Sequence, residues 1–171
     1  MLLLKSLAAG IAATLISAQT VLAQPVPLKK EHAYTGPRRP AAQLATVYGK
    51  IVTNLASLLD PLRMTFVCEV DGKSYRGMMF SSCPSIVYLL PGSYRLTVHH
   101  GRGNAGASGT ISAQVAAGRV YEVEVESAAD RRVSFRLREM PAGFVLTYKD
   151  VQPSSYAPGR RENSRIGPAA D

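Results

Sequence analysis

The feature that most constrains the fold of this chain is the stretch 85–100, SIVYLLPGSYRLTVHH, in which two apolar runs meet at Pro91-Gly92. In its second half, apolar and polar side chains alternate strictly: Tyr94, Leu96 and Val98 against Arg95, Thr97 and His99. Because strand side chains point to opposite faces in turn, this alternation predicts a β-strand with one core face and one solvent face. The Pro-Gly pair predicts a turn between the two runs.

Several other segments show the same alternation or are rich in β-branched residues. They predict strands at 46–53, 63–70, 74–80, 110–115, 120–126, 132–138 and 144–151. Asp71-Gly72 predicts a two-residue hairpin turn, and no long segment has the helical period. The sequence therefore predicts an all-β fold, a single antiparallel β-sandwich of about seven to eight strands with disordered N- and C-terminal flanks.

Two of the predicted strands, 120–126 and 132–138, carry opposite charges on matching faces. The charged positions are Glu122, Glu124 and Glu126 on the first strand, and Arg132, Arg136 and Arg138 on the second. In an antiparallel pair these side chains face one another, and opposite-charge cross-strand pairs stabilise a sheet by about 0.2–1 kcal/mol each. We therefore interpret this charge run as a solvated sheet face.

The first 23 residues have the pattern of a secretory signal peptide. Lys5 is followed by an apolar run over 6–16, and Val21-Leu22-Ala23 offers small residues for cleavage after Ala23. The apolar run is short for a membrane-spanning helix, and no cysteine follows it that could carry a lipid anchor. We expect a periplasmic or secreted product that does not span the membrane after processing.

The body of the chain is bounded by two flanks of different composition. Residues 24–44 form a Pro-rich basic linker, 45–151 the β-sandwich domain, and 152–171 a disordered tail rich in Pro, Ser, Gly and charge. The basic flanks are either solubilising or contact an anionic surface, and the candidate contacts are Lys29, Lys30, Arg38, Arg39, Arg160, Arg161 and Arg165.

Cys68 and Cys83 are the two cysteines of the chain. In an oxidising compartment two thiols usually pair, and two free buried thiols are the alternative. A hairpin turn at Asp71-Gly72 places Cys68 opposite Tyr75. A disulfide therefore requires the chain after Phe80 to return beside Cys68.

The motifs that carry chemistry are weak in this sequence. Residues 101–106 match G-x-G-x-x-G, but a strand rather than a helix is predicted after them, so 101–109 is interpreted as a glycine-rich loop and no cofactor is expected. His99 and His100 would point to opposite faces of a strand, and His32 lies in the linker. The sequence has no H-E-x-x-H, C-x-x-C or G-x-S-x-G pattern, so no metal site and no catalytic residues are predicted.

The order of three segments resembles a known type of module. They are Val47-Tyr48-Gly49-Lys50-Ile51-Val52, then Asp71-Gly72, then 90–98 with the sequence LPGSYRLTV. Over about residues 46–100 this resembles the prealbumin-like carboxypeptidase-regulatory and PEGA-type β-sandwich modules of exported bacterial proteins. The resemblance implies a β-sandwich that is not catalytic, and it carries over no site residues.

Taken together, these observations predict a non-catalytic exported β-sandwich module. We expect an accessory or protein-binding component of the cell envelope whose partner is an unidentified envelope protein. The alternative is binding of an anionic surface, either polysaccharide or lipid headgroups, through the basic flanks. A hydrolase is disfavoured by the missing nucleophile motif, and export disfavours nucleic acid as a partner.

Overall fold

The computed structural model of the protein describes residues 28–53, 62–76, 83–102, 105–127 and 132–151. Within these ranges the chain forms ten β-strands, one 3-10 turn and one short α-helix. The strands build two sheets that pack against each other around an apolar core. The prediction of an all-β sandwich is therefore confirmed.

The elements follow one another in chain order. The strands are β1 Lys30–His32, β2 Ala45–Gly49, β3 Ile51–Thr53, β4 Leu62–Val70, β5 Lys73–Ser74, β6 Ile86–Leu89, β7 Gly92–Arg102, β8 Ala105–Val115, β9 Val120–Ser127 and β10 Val133–Glu139. A 3-10 turn spans Ala41–Gln43, and the helix α1 spans Tyr148–Val151.

The first sheet, sheet A, has the strand order β1-β6-β2-β9-β10, and the second, sheet B, has the order β3-β4-β7-β8 with β5 paired to β4. Two pairs in sheet A, β1 with β6 and β2 with β9, are parallel. The prediction of a wholly antiparallel sandwich is therefore wrong for sheet A. At Lys50 the chain passes from β2 in sheet A to β3 in sheet B, so the single strand predicted over 46–53 is divided between the two sheets.

The main core lies between the inner faces of the two sheets. Val47 and Val87 contribute from sheet A, and Leu96 and Val98 contribute from sheet B, all fully buried. The predicted alternation of β7 is confirmed on this face. Burial of such side chains stabilises the fold by about 1.5–3 kcal/mol each relative to exposure.

A second apolar cluster covers the outer face of sheet A. Tyr48, Ile86 and Tyr88 point to this face, and Leu146 and Val151 from the C-terminal segment pack on them. The predicted strand over 144–151 is therefore wrong, because this segment ends in α1. It forms a covering layer instead of another strand.

Part of the predicted N-terminal linker belongs to the sandwich. Strand β1, inside the predicted linker, pairs in parallel with β6 in the register Lys30 to Ile86 and His32 to Tyr88. Residues 30–32 of the predicted linker therefore form a strand of sheet A. The predicted signal peptide with its cleavage site at Ala23 and the predicted tail 152–171 lie outside the described residues.

Cys68 and Cys83 form a disulfide bond, with their Cα atoms 4.8 Å apart. The amide of Tyr75 donates to the carbonyl of Cys68 at 2.8 Å, as the hairpin predicts. The chain after the hairpin nevertheless returns to β4, since the amide of Val67 donates to the carbonyl of Pro84 at 3.0 Å. A register shift between Val67 and Glu69 places Cys68 at a β-bulge beside this returning segment.

The two predicted turns are both present. Asp71 and Gly72 have positive φ angles of 46° and 83° and join β4 to β5, which matches the backbone that a two-residue hairpin requires. Strand β5 ends at Ser74, so the returning strand predicted from 74 is wrong at Tyr75 and Arg76, and 77–80 lie outside the described residues. Pro91 lies at the corner where the chain leaves β6 in sheet A for β7 in sheet B.

Candidate functional site

A groove lies between the last strands of the two sheets. It has a volume of about 610 Å³ and runs between β8 at the edge of sheet B and β10 at the edge of sheet A. Its apolar lining comes chiefly from Ile111, Phe135 and Leu137, and Arg136 and Glu139 lie at its rim. The sandwich is therefore open along this side in the part of the chain that the structure describes.

Strand β8 forms one wall of the groove and is built from small uncharged residues, AGASGTISAQV. Alternate side chains are exposed on its outer face: Gly106, Ser108, Thr110, Ser112 and Gln114. On the inner face Ile111 and Val115 are buried in the core. At Gly109 the ring of Phe135 occupies the space of a side chain, since its Cδ2 lies 2.6 Å from where a Cβ would be. A side chain at this position would therefore require the ring of Phe135 to move.

A second, shallower groove of about 400 Å³ flanks the same end of β8. Asp71 and Arg95 contribute charge to its lining, and Ser112 to Gln114 line both this groove and the larger one. The hairpin turn is fixed here because the amide of Arg95 donates to Oδ1 of Asp71 at 2.7 Å. The C-terminal half of β8 is thus flanked by two depressions.

The described edges of the sandwich differ in how they are protected. Natural sheets guard their edges with charge, proline, bulges or short strands. In sheet A, β1 has three residues and includes Lys30, and β10 carries Arg136 and Arg138. Strand β8 has eleven residues with no charge and no proline, and its register with β7 has no shift along its whole length. It is therefore the least protected of these three edges.

The glycine-rich loop predicted over 101–109 is largely strand. Strand β7 continues to Arg102 and β8 begins at Ala105, with Gly101 paired to Gly106 across the ladder. The segment after the G-x-G-x-x-G match is thus β-strand, as expected, and it offers no helix N-terminus for a phosphate. The glycines of this segment form part of a hairpin.

His99 and His100 lie on opposite faces of β7, as the alternation predicts. His99 is 1% exposed, so the predicted solvent face is wrong at this residue, and its Nδ1 lies 3.0 Å from Oγ of Ser108. Burial lowers the pKa of His99, and the nearby Arg76 lowers it further. Nδ1 of His100 lies 2.9 Å from Oγ1 of Thr65. Both rings thus have hydroxyl groups as neighbours.

Neither a metal centre nor a membrane span is found within the described ranges. No three His, Cys, Asp or Glu side chains there are close enough to hold a metal ion together. No helix among the same residues has the length and apolar character needed to cross a bilayer.

The charged strand pair contains a buried carboxylate that the sequence did not predict. The register pairs Arg136 with Glu124 and Arg138 with Glu122, as expected from the alternation, but Glu126 lies opposite Ser134, so the expected third glutamate–arginine pair is wrong. However, Glu122 is only 5% exposed, so the prediction of a solvated face is wrong there. Its carboxylate lies 2.6 Å from Nζ of Lys50 and 2.7 Å from Nη2 of Arg138, and it accepts a hydrogen bond from the hydroxyl of Tyr48 at 3.1 Å.

The pKa of Glu122 reflects two opposing effects. Burial raises it, but the hydrogen bonds and positive charges of Lys50 and Arg138, with the bond from Tyr48, outweigh burial and lower it below the ordinary glutamate value. Burial, together with the carboxylate of Glu122, raises the pKa of Tyr48. Glu122 is therefore ionised at neutral pH, forms ion pairs with Arg138 on β10 and with Lys50 between β2 and β3, and accepts a hydrogen bond from Tyr48 on β2. This arrangement links three parts of sheet A through one carboxylate.

The basic residues proposed as anionic contacts are only partly described. Lys29, Lys30, Arg38 and Arg39 are all exposed, in and around β1. The amide of Arg39 donates to the hydroxyl of Tyr34 at 3.2 Å, which holds this segment against the domain. The other three candidates, Arg160, Arg161 and Arg165, lie outside the described residues.

No family model, no curated protein and no solved structure matches this chain. The resemblance to carboxypeptidase-regulatory and PEGA-type modules therefore stays a prediction. Function has to be inferred from the chain itself, and the exposed edge of β8 with its two grooves is the site that the geometry offers.

Proposed function

We propose that this protein is an exported, non-catalytic binding module of the cell envelope that takes up a strand of a partner polypeptide along the edge of β8. The observation that carries this proposal is the combination of a long unprotected edge with grooves on either side of it. In β-strand addition, main-chain hydrogen bonds supply affinity and pockets for alternate side chains supply specificity.

The dimensions of β8 support strand addition. An antiparallel strand rises about 3.4 Å per residue, so the eleven residues of β8 offer an edge of roughly 37 Å. An added strand would place alternate side chains towards Phe135 and Leu137 in the larger groove. Its intervening side chains would lie beside Ser112 and Gln114 on the outer face.

Export is supported by two features that are independent of the edge. The N-terminal sequence has the composition of a signal peptide, and the disulfide between Cys68 and Cys83 is compatible with an oxidising compartment. Together they favour an envelope or extracellular partner over a cytosolic one.

A second candidate function is binding of an anionic polysaccharide or lipid surface. It is favoured by the exposure of Lys29, Lys30, Arg38 and Arg39 around β1, on the opposite edge of sheet A from β10. Salt screens exposed charges, so this binding should weaken steeply with ionic strength. Replacing Arg38 and Arg39 by glutamine should weaken retention on a sulfated polysaccharide column, and unchanged retention would exclude these residues as contacts.

The proposed function is tested by comparing partner capture from an envelope extract by three tagged proteins. They are the wild type, Ala113→Lys, which places a charge on the inner face of the β8 edge, and Ser134→Lys as a matched control on exposed β10. Inward-pointing charge is a natural means of blocking edge pairing. Thermal unfolding of each variant shows whether it is folded.

We expect the wild type and Ser134→Lys to recover a common polypeptide that Ala113→Lys does not recover. Once that polypeptide is purified, it should again bind the wild type and Ser134→Lys but not Ala113→Lys. The recovered polypeptide can be a second copy of the chain. In that case an untagged copy present in the extract is recovered together with the tagged protein. If folded Ala113→Lys recovers the same proteins as the wild type, the β8 edge is not the binding surface.

A further inference from the structure

The outer edge strand β8 contains a segment whose residues are nearly the same in both directions. Residues 107–113 have the sequence ASGTISA. Positions equidistant from Thr110 are identical at Ser108 and Ser112 and at Ala107 and Ala113. Only Gly109 and Ile111 differ.

This symmetry matches an antiparallel pairing of two copies about a two-fold axis. If the axis passes through Thr110, Thr110 of one copy lies opposite Thr110 of the other. Ser108 then faces Ser112, and Ala107 faces Ala113. Hydroxyl pairs of this kind are favourable across strands, and a two-fold contact uses the same surface on both copies.

The one asymmetric position fits the groove beside β8. In the same register, Gly109 of each copy lies opposite Ile111 of the other. The ring of Phe135 already fills the space above Gly109, and the groove continues along Leu137. Ile111 of the second copy would therefore contact Phe135, and the two-fold axis would create this apolar contact twice.

Charge does not oppose a second copy at the central part of the edge. Strand β8 carries no charged side chain, so two β8 strands approach without repulsion between their own residues. The chain as a whole has a formal net charge of +8, so the two copies repel at longer range. Because salt screens that repulsion, pairing should strengthen as salt rises, opposite to the binding of an anionic surface.

We propose that the partner at this edge is a second copy of the chain, with the two β8 strands paired antiparallel about Thr110. This inference rests on the proposed use of the β8 edge. The pairing joins the four strands β3-β4-β7-β8 of each copy into one continuous sheet.

Sedimentation velocity of the purified full chain over a micromolar concentration series tests the proposal. The variants are Thr110→Lys, Thr110→Glu and their equimolar mixture, with Thr110→Gln as the uncharged reference. Ser134→Lys and Ser134→Glu are the matched controls on exposed β10. Thr110 is exposed, so these substitutions leave the core intact.

The wild type is expected to dimerise, more tightly at higher salt. Each singly charged variant places like charges on the axis and should raise the dimer dissociation constant about fivefold, whereas the mixture should recover it because opposite charges then meet. The Ser134 variants should behave as wild type.

A wild type that stays monomeric overturns the proposal, as does a dimer that the Thr110 variants leave unchanged or that their mixture fails to restore. With any of these results, the proposed function would still stand if the wild type recovers from the extract a polypeptide that Ala113→Lys does not.

Discussion

Replacing Glu122 by glutamine is expected to destabilise the fold more than any other neutralisation of a described carboxylate on β9. Glu122 is 5% exposed and is held by Tyr48 on β2, by Lys50 at the junction of β2 with β3 and by Arg138 on β10. The substitution keeps the size of the side chain and removes its charge. The two basic partners then lose their common counter-ion.

The expected magnitude lies between two limits. Removing one partner of a fully buried pair costs about 3–5 kcal/mol, and an exposed pair is worth about 0.2–1 kcal/mol. Glu122 is buried, but the side chains of Lys50 and Arg138 are 38% and 46% exposed and can regain water. We therefore expect a loss of about 2 kcal/mol at pH 7, which for a domain of this size lowers the urea midpoint by about 1 M.

The effect should depend on pH with a definite sign. Because the folded-state pKa of Glu122 is lowered, its ionised form stabilises the fold at pH values above the ordinary glutamate value of 4.5. This contribution is lost as pH falls through the lower folded-state pKa, where the carboxyl becomes neutral. The difference between wild type and Glu122→Gln should therefore be constant from pH 7 to about 5 and shrink below pH 4.

Urea unfolding followed by circular dichroism, repeated between pH 7 and pH 3, measures both quantities. Glu126→Gln is the matched control, because Glu126 is on the same strand, is 55% exposed, and pairs with Arg136 at 3.0 Å. It should cost less than about 0.5 kcal/mol. Equal losses for the two variants, or a loss for Glu122→Gln that persists unchanged at pH 3, would refute the reasoning.

Three further predictions concern packing and the disulfide. Leu146→Ala should cost about 2–4 kcal/mol in urea unfolding because Leu146 is 2% exposed under the outer face of sheet A, whereas Val145→Ala, at an exposed neighbour, should be nearly neutral. Gly49→Ala should lower the melting temperature by several degrees, because a Cβ there would overlap the backbone of β4, which cannot rotate away. Reducing the Cys68–Cys83 disulfide, or replacing both cysteines by alanine, should cost about 3 kcal/mol for a separation of 15 residues, measured by unfolding with and without reductant.

The strands that could be predicted are those whose alternation is long and uninterrupted. Strands β4, β7, β9 and β10 follow from period-two patterns, and the ion pairs between Arg136 and Glu124 and between Arg138 and Glu122 follow from the same patterns. In each case the signal is local, because side-chain direction along a strand depends only on the chain itself.

The elements that could not be predicted depend on distant partners. Strand β1 has three residues in a basic, Pro-rich segment and is defined by its pairing with β6. Glu122 accepts a hydrogen bond from Tyr48 on the outer face of sheet A, where Leu146 and Val151 from the C-terminal segment pack on Tyr48. Alternation alone cannot show which outward face another part of the chain will cover.

The candidate site on β8 could not be predicted from the sequence for the same reason. The near-symmetry of 107–113 is present in the printed sequence, yet it has no consequence for a strand in the middle of a sheet. It becomes informative because β8 lies at the end of sheet B and faces a groove bounded by Phe135. Strand order is set by long-range pairing, which the pattern within one strand does not specify.

Hydrogen exchange of the wild-type protein at low and high concentration tests most directly whether two copies pair along the edge of β8. We expect amides within Ala105–Val115 to become more protected as concentration rises, because those that point away from β7 acquire partners on the second copy. Amides of β10 should change little. Equal protection of β8 at all concentrations, or a concentration effect confined to other strands, would contradict the pairing of two copies along this edge.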